Sequence, residues 1–182
     1  AILLWLVAAE SELPYFEPVQ LIRPTKDHLS VCVAPSVAAI KKMSRPISVV
    51  SVVGPYKSGK SFLLNALTGG TGTFNVGRMT SPETMGVWVC RTNYTAADGS
   101  EIWLMDSEGF FGPGISEDYD AKIFTLATLL GSVVVYNTVK IIDQHAVNLL
   151  EMLTRRAKLF RTRSKSVAQG GSDMPVPGFL HK

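Results

Sequence analysis

Eight consecutive residues in the first third of the chain have the types and spacing that bind phosphate groups. They run Gly54-Pro55-Tyr56-Lys57-Ser58-Gly59-Lys60-Ser61 and match the pattern G-x-x-x-x-G-K-S. In such a loop the backbone N–H groups point at an anion, and the positive N-terminal end of the following helix strengthens the attraction. The loop therefore predicts that this chain binds a nucleoside triphosphate.

The residue types in this loop imply separate tasks. We expect the Lys60 ammonium to reach the β- and γ-phosphates and the Ser61 hydroxyl to be a ligand of Mg²⁺. Gly54 and Gly59 allow the backbone to approach where a Cβ would collide. The predicted site would hold both a triphosphate and its metal ion.

Two further polar positions stand where a triphosphate site needs them. Asp106 follows the apolar run 102–105 and opens the motif Asp106-Ser107-Glu108-Gly109. A carboxylate at a strand end can hold Mg²⁺ through water, and the Gly109 N–H can approach the γ-phosphate closely. Thr84, in an earlier loop, offers a hydroxyl that could sense the γ-phosphate.

Apolar segments on both sides of the loop predict the elements that hold it. The β-branched run 47–53 predicts a buried strand that leads into the loop. Apolar residues crowd both sides of segment 60–67, which is typical of a helix covered by a sheet, and residues 68–70 end that helix. This order of strand, loop and helix predicts the three-layer α/β fold of a P-loop NTPase.

Further strands and helices are predicted along the rest of the chain. In chain order they are two short strands at 18–22 and 29–33, a short helix with Ser36 as its N-cap, an antiparallel hairpin of 86–91 and 101–105, a helix at 123–130, a buried strand at 132–137 and a helix from about 143 to 161. We place the hairpin at the edge of the sheet.

The basic residues are unevenly distributed. The chain has 182 residues, of which 46% are hydrophobic, enough for one domain with a core. Its formal charge of +3 comes from a basic stretch at 155–165, which holds six of the 18 lysines and arginines. The rest is slightly acidic, which argues against binding to nucleic acid. The basic stretch itself can be a solvated helix face or a contact with an anionic surface.

Two cysteines and an apolar start bear on the cellular compartment. Cys32 and Cys90 fall in predicted strands without metal-ligand spacing, so we expect buried free thiols in a reducing, cytoplasmic environment. Residues 1–9 are uniformly apolar but far shorter than the ~20 residues that span a bilayer. A signal-peptide remnant and a docked apolar end both stay open for them.

Four motifs together resemble the G domain of the guanylate-binding protein and atlastin family of large, dynamin-related GTPases. They are Pro-x-x-Val-Val-x-x-Val-Gly leading into the loop, Pro82-Glu83-Thr84-Met85-Gly86-Val87-Trp88, Asp106-Ser107-Glu108-Gly109 and Val135-Tyr136-Asn137. The guanylate-binding branch is the most similar, because Gly-x-Trp after the threonine and Val-Tyr-Asn are typical of it. The similarity covers residues 18–165, between an apolar N-terminal end at 1–17 and a tail at 166–182 that we expect to be disordered.

The resemblance implies a Mg²⁺-dependent GTPase that forms a homodimer through its G domains when loaded and makes peripheral membrane contact. By position, Thr84 corresponds to the switch I threonine, which contacts Mg²⁺ and the γ-phosphate. Asp106 corresponds to the switch II aspartate, and Glu108 to the residue that arranges the attacking water. Candidate nucleotide contacts are the loop from Gly54 to Ser61, the stretch Val76, Gly77 and Arg78 over the nucleotide, and Asp106, Ser107, Glu108, Gly109 and Phe110.

Three departures from the family pattern affect the expected chemistry. Lys57 stands where relatives carry an arginine finger, and an ammonium cannot offer the planar donor pair of a guanidinium. Pro82 occupies the place of a serine that positions water in relatives. After Asn137 we find no aspartate placed to recognise guanine, so we expect an incomplete G domain, truncated at the C-terminus.

These departures keep two other functions open. The first is a regulatory module that binds nucleotide, or a partner G domain, without turnover. The second is an ATPase or kinase, which is disfavoured because no lid arginines or second substrate motif appear. Our main prediction remains a GTPase in which Lys57, Lys60, Thr84 and Glu108 serve hydrolysis, while Ser61, Thr84 and Asp106 hold Mg²⁺.

Overall fold

The computed structural model describes residues 13–25, 30–70, 72–76, 85–144, 146–148, 150–155 and 158. In chain order the elements are β1 (Val19–Pro24), β2 (Ser30–Cys32), α1 (Ala34–Lys41), β3 (Ile47–Val53), α2 (Lys60–Leu67), β4 (Val87–Thr95), β5 (Glu101–Ser107), α3 (Glu117–Leu130) and β6 (Val133–Tyr136). The described residues between 144 and 158 are also helical. Strands and helices thus follow one another in the predicted order, and the bounds of β3 agree with the predicted 47–53.

Six strands of the described part of the chain form one mixed sheet, in the spatial order β2-β1-β4-β5-β3-β6. β3 pairs in parallel with β5 on one side and β6 on the other, while the remaining pairs are antiparallel. Within these pairs Val52 lies opposite Asp106, and Val53 lies opposite Tyr136. The carboxyl ends of three parallel strands therefore meet at one edge of the sheet, which is where ligands bind in open α/β folds.

Helices cover both faces of the sheet. Adjacent residues of a strand contact different helices, because their side chains point to opposite sides. Val52 and Leu104 pack with Leu64 of α2 on one face. Val53 belongs to the cluster on the other face, together with Ile123 of α3. Complete burial of a side chain such as Leu64 stabilises the fold by about 2 kcal/mol. The three-layer α/β arrangement is confirmed.

Two details of the prediction are wrong. The hairpin of β4 and β5 lies inside the sheet, because β1 pairs with the outer side of β4 and satisfies its backbone groups. Ser36 is not the N-cap of α1, since Val33 holds that position and Ser36 donates a 2.7 Å hydrogen bond to the Gln20 carbonyl. Pro35 suits the first turn of a helix, so the helix begins before Ser36.

Exposure at the sheet edges also differs from the prediction. Within the described part of the chain β6 pairs with β3 alone, and 54% of Val133 is exposed, so this strand is not buried. Cys90 is buried as predicted, and burial raises the pKa of its thiol to about 11, but Cys32 is exposed because β2 forms the opposite edge.

Some predicted features fall outside the described residues. They are the apolar run 1–9, Gly77, Arg78, Pro82, Thr84, the tail 166–182 and most of the basic stretch. Among the residues that are described, no helix is long and apolar enough to cross a membrane.

Candidate functional site

The phosphate-binding loop leaves β3 through a glycine that tolerates no side chain. Gly54 has φ of 151°, and a Cβ there would lie 2.1 Å from the backbone carbonyl oxygen of Asn137. Gly59 has φ of 89° and is the N-cap of α2. Both glycines are thus required by the path of the backbone, which turns the loop around the N-terminal end of α2.

Lys60 is the first residue of α2 and lies inside the loop. It is 7% exposed, and its Nζ donates a 3.1 Å hydrogen bond to the Pro55 carbonyl. Burial lowers the pKa of this ammonium, although the carboxylates of Asp106 and Glu108 oppose that effect. An anion held by the loop would favour the charged form of Lys60. This position suits the predicted contact with the phosphates.

Ser61 and Asp106 meet between α2 and the end of β5. The Ser61 hydroxyl donates a 2.6 Å hydrogen bond to Asp106 Oδ2, and Asp106 is 1% exposed. Hydroxyl and carboxylate oxygens are hard ligands that suit Mg²⁺, which usually keeps several waters and phosphate oxygens as its other ligands. In the described part of the chain no group of three or more His, Cys, Asp or Glu could hold a metal alone. The donor set therefore fits Mg²⁺ bound together with a phosphate.

Backbone hydrogen bonds join the phosphate-binding loop to the loop after β5. Tyr56 N donates to Phe110 O at 2.7 Å, and Phe110 N donates to Gly54 O at 3.1 Å. A Cβ at Gly109 would lie 2.5 Å from the Tyr56 Cα. Only glycine permits this approach, so the conformation of each loop depends on the other.

Glu108 is buried and held at one of its two carboxylate oxygens. Its Oε2 accepts hydrogen bonds from Gly86 N at 2.8 Å and from the Tyr119 hydroxyl at 2.7 Å. Burial, together with the bond to Glu108, raises the pKa of Tyr119, so the phenol remains a donor. Glu108 Oε1 has no hydrogen-bond partner among the described residues.

Three other predicted nucleotide contacts are the side chains of Ser107, Lys57 and Val76. In the structure these side chains do not lie in the buried centre of the site with Lys60 and Asp106. The Ser107 hydroxyl donates a 2.9 Å hydrogen bond to the Val52 carbonyl within the sheet, so its side chain serves the fold. Lys57 is exposed, has φ of 59°, and places its Nζ 5.5 Å from the centre of the Tyr56 ring. Val76 is also exposed, and its neighbours Gly77 and Arg78 lie outside the described residues, as does Thr84.

The sequence did not assign a role to Asn137 or Asp120. Asn137 Nδ2 donates a 2.8 Å hydrogen bond to the Ser58 carbonyl in the phosphate-binding loop. Asp120 Oδ2 accepts a 2.9 Å bond from the backbone N–H of Phe111, which has φ of 60°. Burial raises the pKa of Asp120 to about 6. Two features of the sequence could have pointed to these residues. Asn137 is a polar residue at the end of a predicted strand, and Asp120 is an acidic residue near the start of a helix.

Comparison with known proteins gives one consistent family. A family model described as the N-terminal domain of guanylate-binding protein matches residues 28–174. Guanylate-binding protein 5 of Mus musculus is 37% identical over 162 residues, which is 88% of this chain and 27% of that protein. Guanylate-binding protein 4 of Homo sapiens is 34% identical over 156 residues, 85% of this chain and 24% of that protein.

A third relative agrees in identity and extent. Guanylate-binding protein 2 of Rattus norvegicus is 33% identical over 164 residues, covering 90% of this chain and 28% of the relative. The chain thus spans about a quarter of the length of the curated relatives it matches. The family model covers more than half of the chain and includes the phosphate-binding loop and the loop after β5. The chain belongs to the guanylate-binding protein family, whose N-terminal domain it matches.

Proposed function

We propose that this chain binds GTP together with Mg²⁺ and hydrolyses GTP to GDP and phosphate. The observation that supports the proposal is the hydrogen bond between Ser61 and Asp106, a hydroxyl and a carboxylate of the kinds that Mg²⁺ binds, next to the buried Lys60. The names of the relatives, guanylate-binding proteins, support guanine as the base.

Binding would rest on the phosphate-binding loop. Its backbone N–H groups and the N-terminal end of α2 would receive the phosphate oxygens, and Lys60 would exchange its bond to Pro55 for one to a phosphate. Ser61 would bind Mg²⁺ directly, and Asp106 would hold a water ligand of the ion. Bound Mg²⁺ would supply charge neutralisation at the β- and γ-phosphate oxygens.

Hydrolysis would be an in-line displacement at the γ-phosphorus. The water oxygen forms a bond to phosphorus while the bond to the β–γ bridging oxygen breaks. GDP leaves with the electron pair of the broken bond, and both water protons leave on the inorganic phosphate. Lys60 stabilises the developing charge, and Lys57 adds a second cation at the loop. Glu108 would orient the water through Oε1, because its Oε2 already receives two hydrogen bonds.

Binding without turnover is the second candidate. The exposed Lys57 lies over the Tyr56 ring and cannot replace the two parallel donors of an arginine. A chain with this substitution could hold GTP and present the loaded form to a partner without hydrolysing it.

The resemblance to G domains also supports two partner proposals. We propose that the chain forms a homodimer through this domain when nucleotide is bound, and that it makes peripheral contact with a membrane. Sedimentation velocity with and without a non-hydrolysable GTP analogue tests the dimer. Co-sedimentation with phosphatidylserine vesicles tests the membrane contact.

A single-turnover measurement of phosphate release per bound GTP separates turnover from binding alone. Lys60→Ala should abolish GTP binding and leave the far-UV circular dichroism unchanged, because the loop loses its buried cation. Lys41→Ala, at the exposed end of α1, is the matched control. GTP affinity of the Lys60→Ala variant within about threefold of the parent would overturn the assignment of the loop.

Release of phosphate from the parent supports the GTPase, whereas tight binding without release supports the second candidate. Competition of ATP against bound GTP tests the ATPase alternative, because phosphate contacts alone do not distinguish the two bases.

A further inference from the structure

A cavity of about 230 Å³ lies beside the loop after β5, between that loop, the first turn of α3 and the helical residues near 150. Its walls include no residue of the phosphate-binding loop. The lining includes Phe110 and Phe111 from the loop after β5, and Met152 and Leu153 from the helical segment. The cavity is therefore distinct from the proposed nucleotide site, although Phe110 contributes to both regions.

The cavity combines apolar walls with negative charge. Glu117 and Asp120 line it from α3, and Asp120 is 4% exposed. Neither carboxylate has an ion-pair partner among the described residues, and no described residue that lines the cavity carries a positive charge. A carboxylate buried without a cation is costly, and a bound cation would relieve that cost.

The lining also defines the shape of a suitable ligand. Asn148 accepts a 2.8 Å hydrogen bond from the Gln144 side chain at its amide oxygen. The Phe110 ring packs on Phe124, with ring centres 6.0 Å apart, and therefore forms a fixed apolar wall. The volume lies below the usual range of about 300 to 1,000 Å³ for ligand sites and would accept about a dozen non-hydrogen atoms.

We propose that this cavity binds a small hydrophobic amine, with its ammonium between Asp120 and Glu117 and its ring between Phe110 and Met152. An aromatic ring attached to a short alkylammonium has the required size, apolar body and charge. An anion of the same shape would face two carboxylates and bind poorly.

Tryptamine is the probe, and indole-3-acetate is its matched anion. Both are titrated into the isotopically labelled 182-residue chain, without nucleotide, while backbone amide shifts are followed by NMR. Tryptamine should bind with a Kd on the order of 0.1 to 1 mM and shift the amides of residues 110, 111 and 120, whereas indole-3-acetate should bind at least about tenfold more weakly.

Three variants test the placement. Asp120→Asn and Glu117→Gln keep the side-chain shape but remove charge, so at least one should weaken tryptamine binding by about fivefold or more. Met152→Trp should fill the cavity and abolish binding. Glu17→Gln, an exposed carboxylate elsewhere on the chain, should leave the Kd unchanged.

The proposal is overturned by equal affinity for the two indoles, by no saturable shift up to about 5 mM tryptamine, or by an unchanged Kd in both charge variants. These outcomes do not depend on GTP binding, since no nucleotide is present in the titration. Failure of the GTPase proposal would therefore leave this result intact.

Discussion

Asn137 and Ser58 are joined by a 2.8 Å hydrogen bond from the Asn137 side-chain amide to the Ser58 carbonyl. Asn137 follows β6, and its backbone N–H donates to the Val53 carbonyl at 2.8 Å. The residue thus holds both the start and the middle of the phosphate-binding loop. No nucleotide or metal contact was predicted for β6. The hydrogen bonds of Asn137, directly after this strand, nevertheless help to determine the shape of the phosphate-binding loop.

Replacing Asn137 should weaken nucleotide binding. Asn137→Ala removes one hydrogen bond, so the Kd for a fluorescent GTP analogue should rise about three- to tenfold. Asn137→Asp should raise the Kd further, because it places a carboxylate beside a carbonyl and near the phosphates. Asn93→Ala, at an exposed position of β4, is the control. A Kd unchanged by both substitutions at Asn137 would show that the hydrogen bond does not shape the loop.

Gly54→Ala should prevent the loop from forming as observed. Its Cβ would lie 2.1 Å from the Asn137 carbonyl oxygen, and φ of 151° is unfavourable for a residue with a side chain. We expect a loss of more than about 2 kcal/mol in the free energy of unfolding, measured by urea denaturation. Gly70→Ala is the matched control, because a Cβ added there would meet no atom within 4 Å. Equal stability of the two variants would contradict the close approach.

Much of the fold could be predicted because its signals are local. The run 47–53 is β-branched and apolar, and it forms β3 with those bounds. The turn at 97–99 separates two strand-like segments, which form the hairpin of β4 and β5. Residue types within a short window determine these elements, so no knowledge of distant neighbours was needed.

The contacts that were missed depend on distant parts of the chain. Asn137 meets Ser58 only because β6 pairs in parallel with β3, and that register is not visible in either segment alone. Asp120 resembles an acidic residue that favours a helix N-terminus, as its neighbours Glu117 and Asp118 do. Its bond to Phe111 depends on how the loop after β5 packs against α3.

Lys57→Arg should raise hydrolysis per bound GTP. A guanidinium offers two parallel donors where the ammonium offers a point charge, and arginine fingers are worth ~10³ or more in rate. Even about a tenth of that gain would be visible in a single-turnover assay. The exposed Lys57 leaves room for the longer side chain, and Lys57→Ala should lower the rate. An unchanged rate in both variants would show that position 57 does not reach the phosphates.

Asp120 should make stability depend on pH between about 4 and 6. Burial raises the pKa of Asp120 to about 6, and its charged neighbours Glu108 and Glu117 contribute to the rise. The unfolded chain has an Asp pKa of about 3.9, so the folded state binds the proton more tightly. The cost of ionising Asp120 is therefore absent below about pH 4, grows as the pH rises, and is complete above about pH 6.

Asp120→Asn should consequently gain stability relative to the parent as the pH rises through that window. Urea midpoints at pH 4, 5, 6 and 7 measure the difference between the two proteins. Asp98→Asn is the control. Hydrogen bonds from Ser100 lower the pKa of Asp98, so the contribution of Asp98 to stability changes only at pH values below about 4. A stability difference between Asp120→Asn and the parent that stays constant from pH 4 to 7 would show that Asp120 titrates normally in the folded chain.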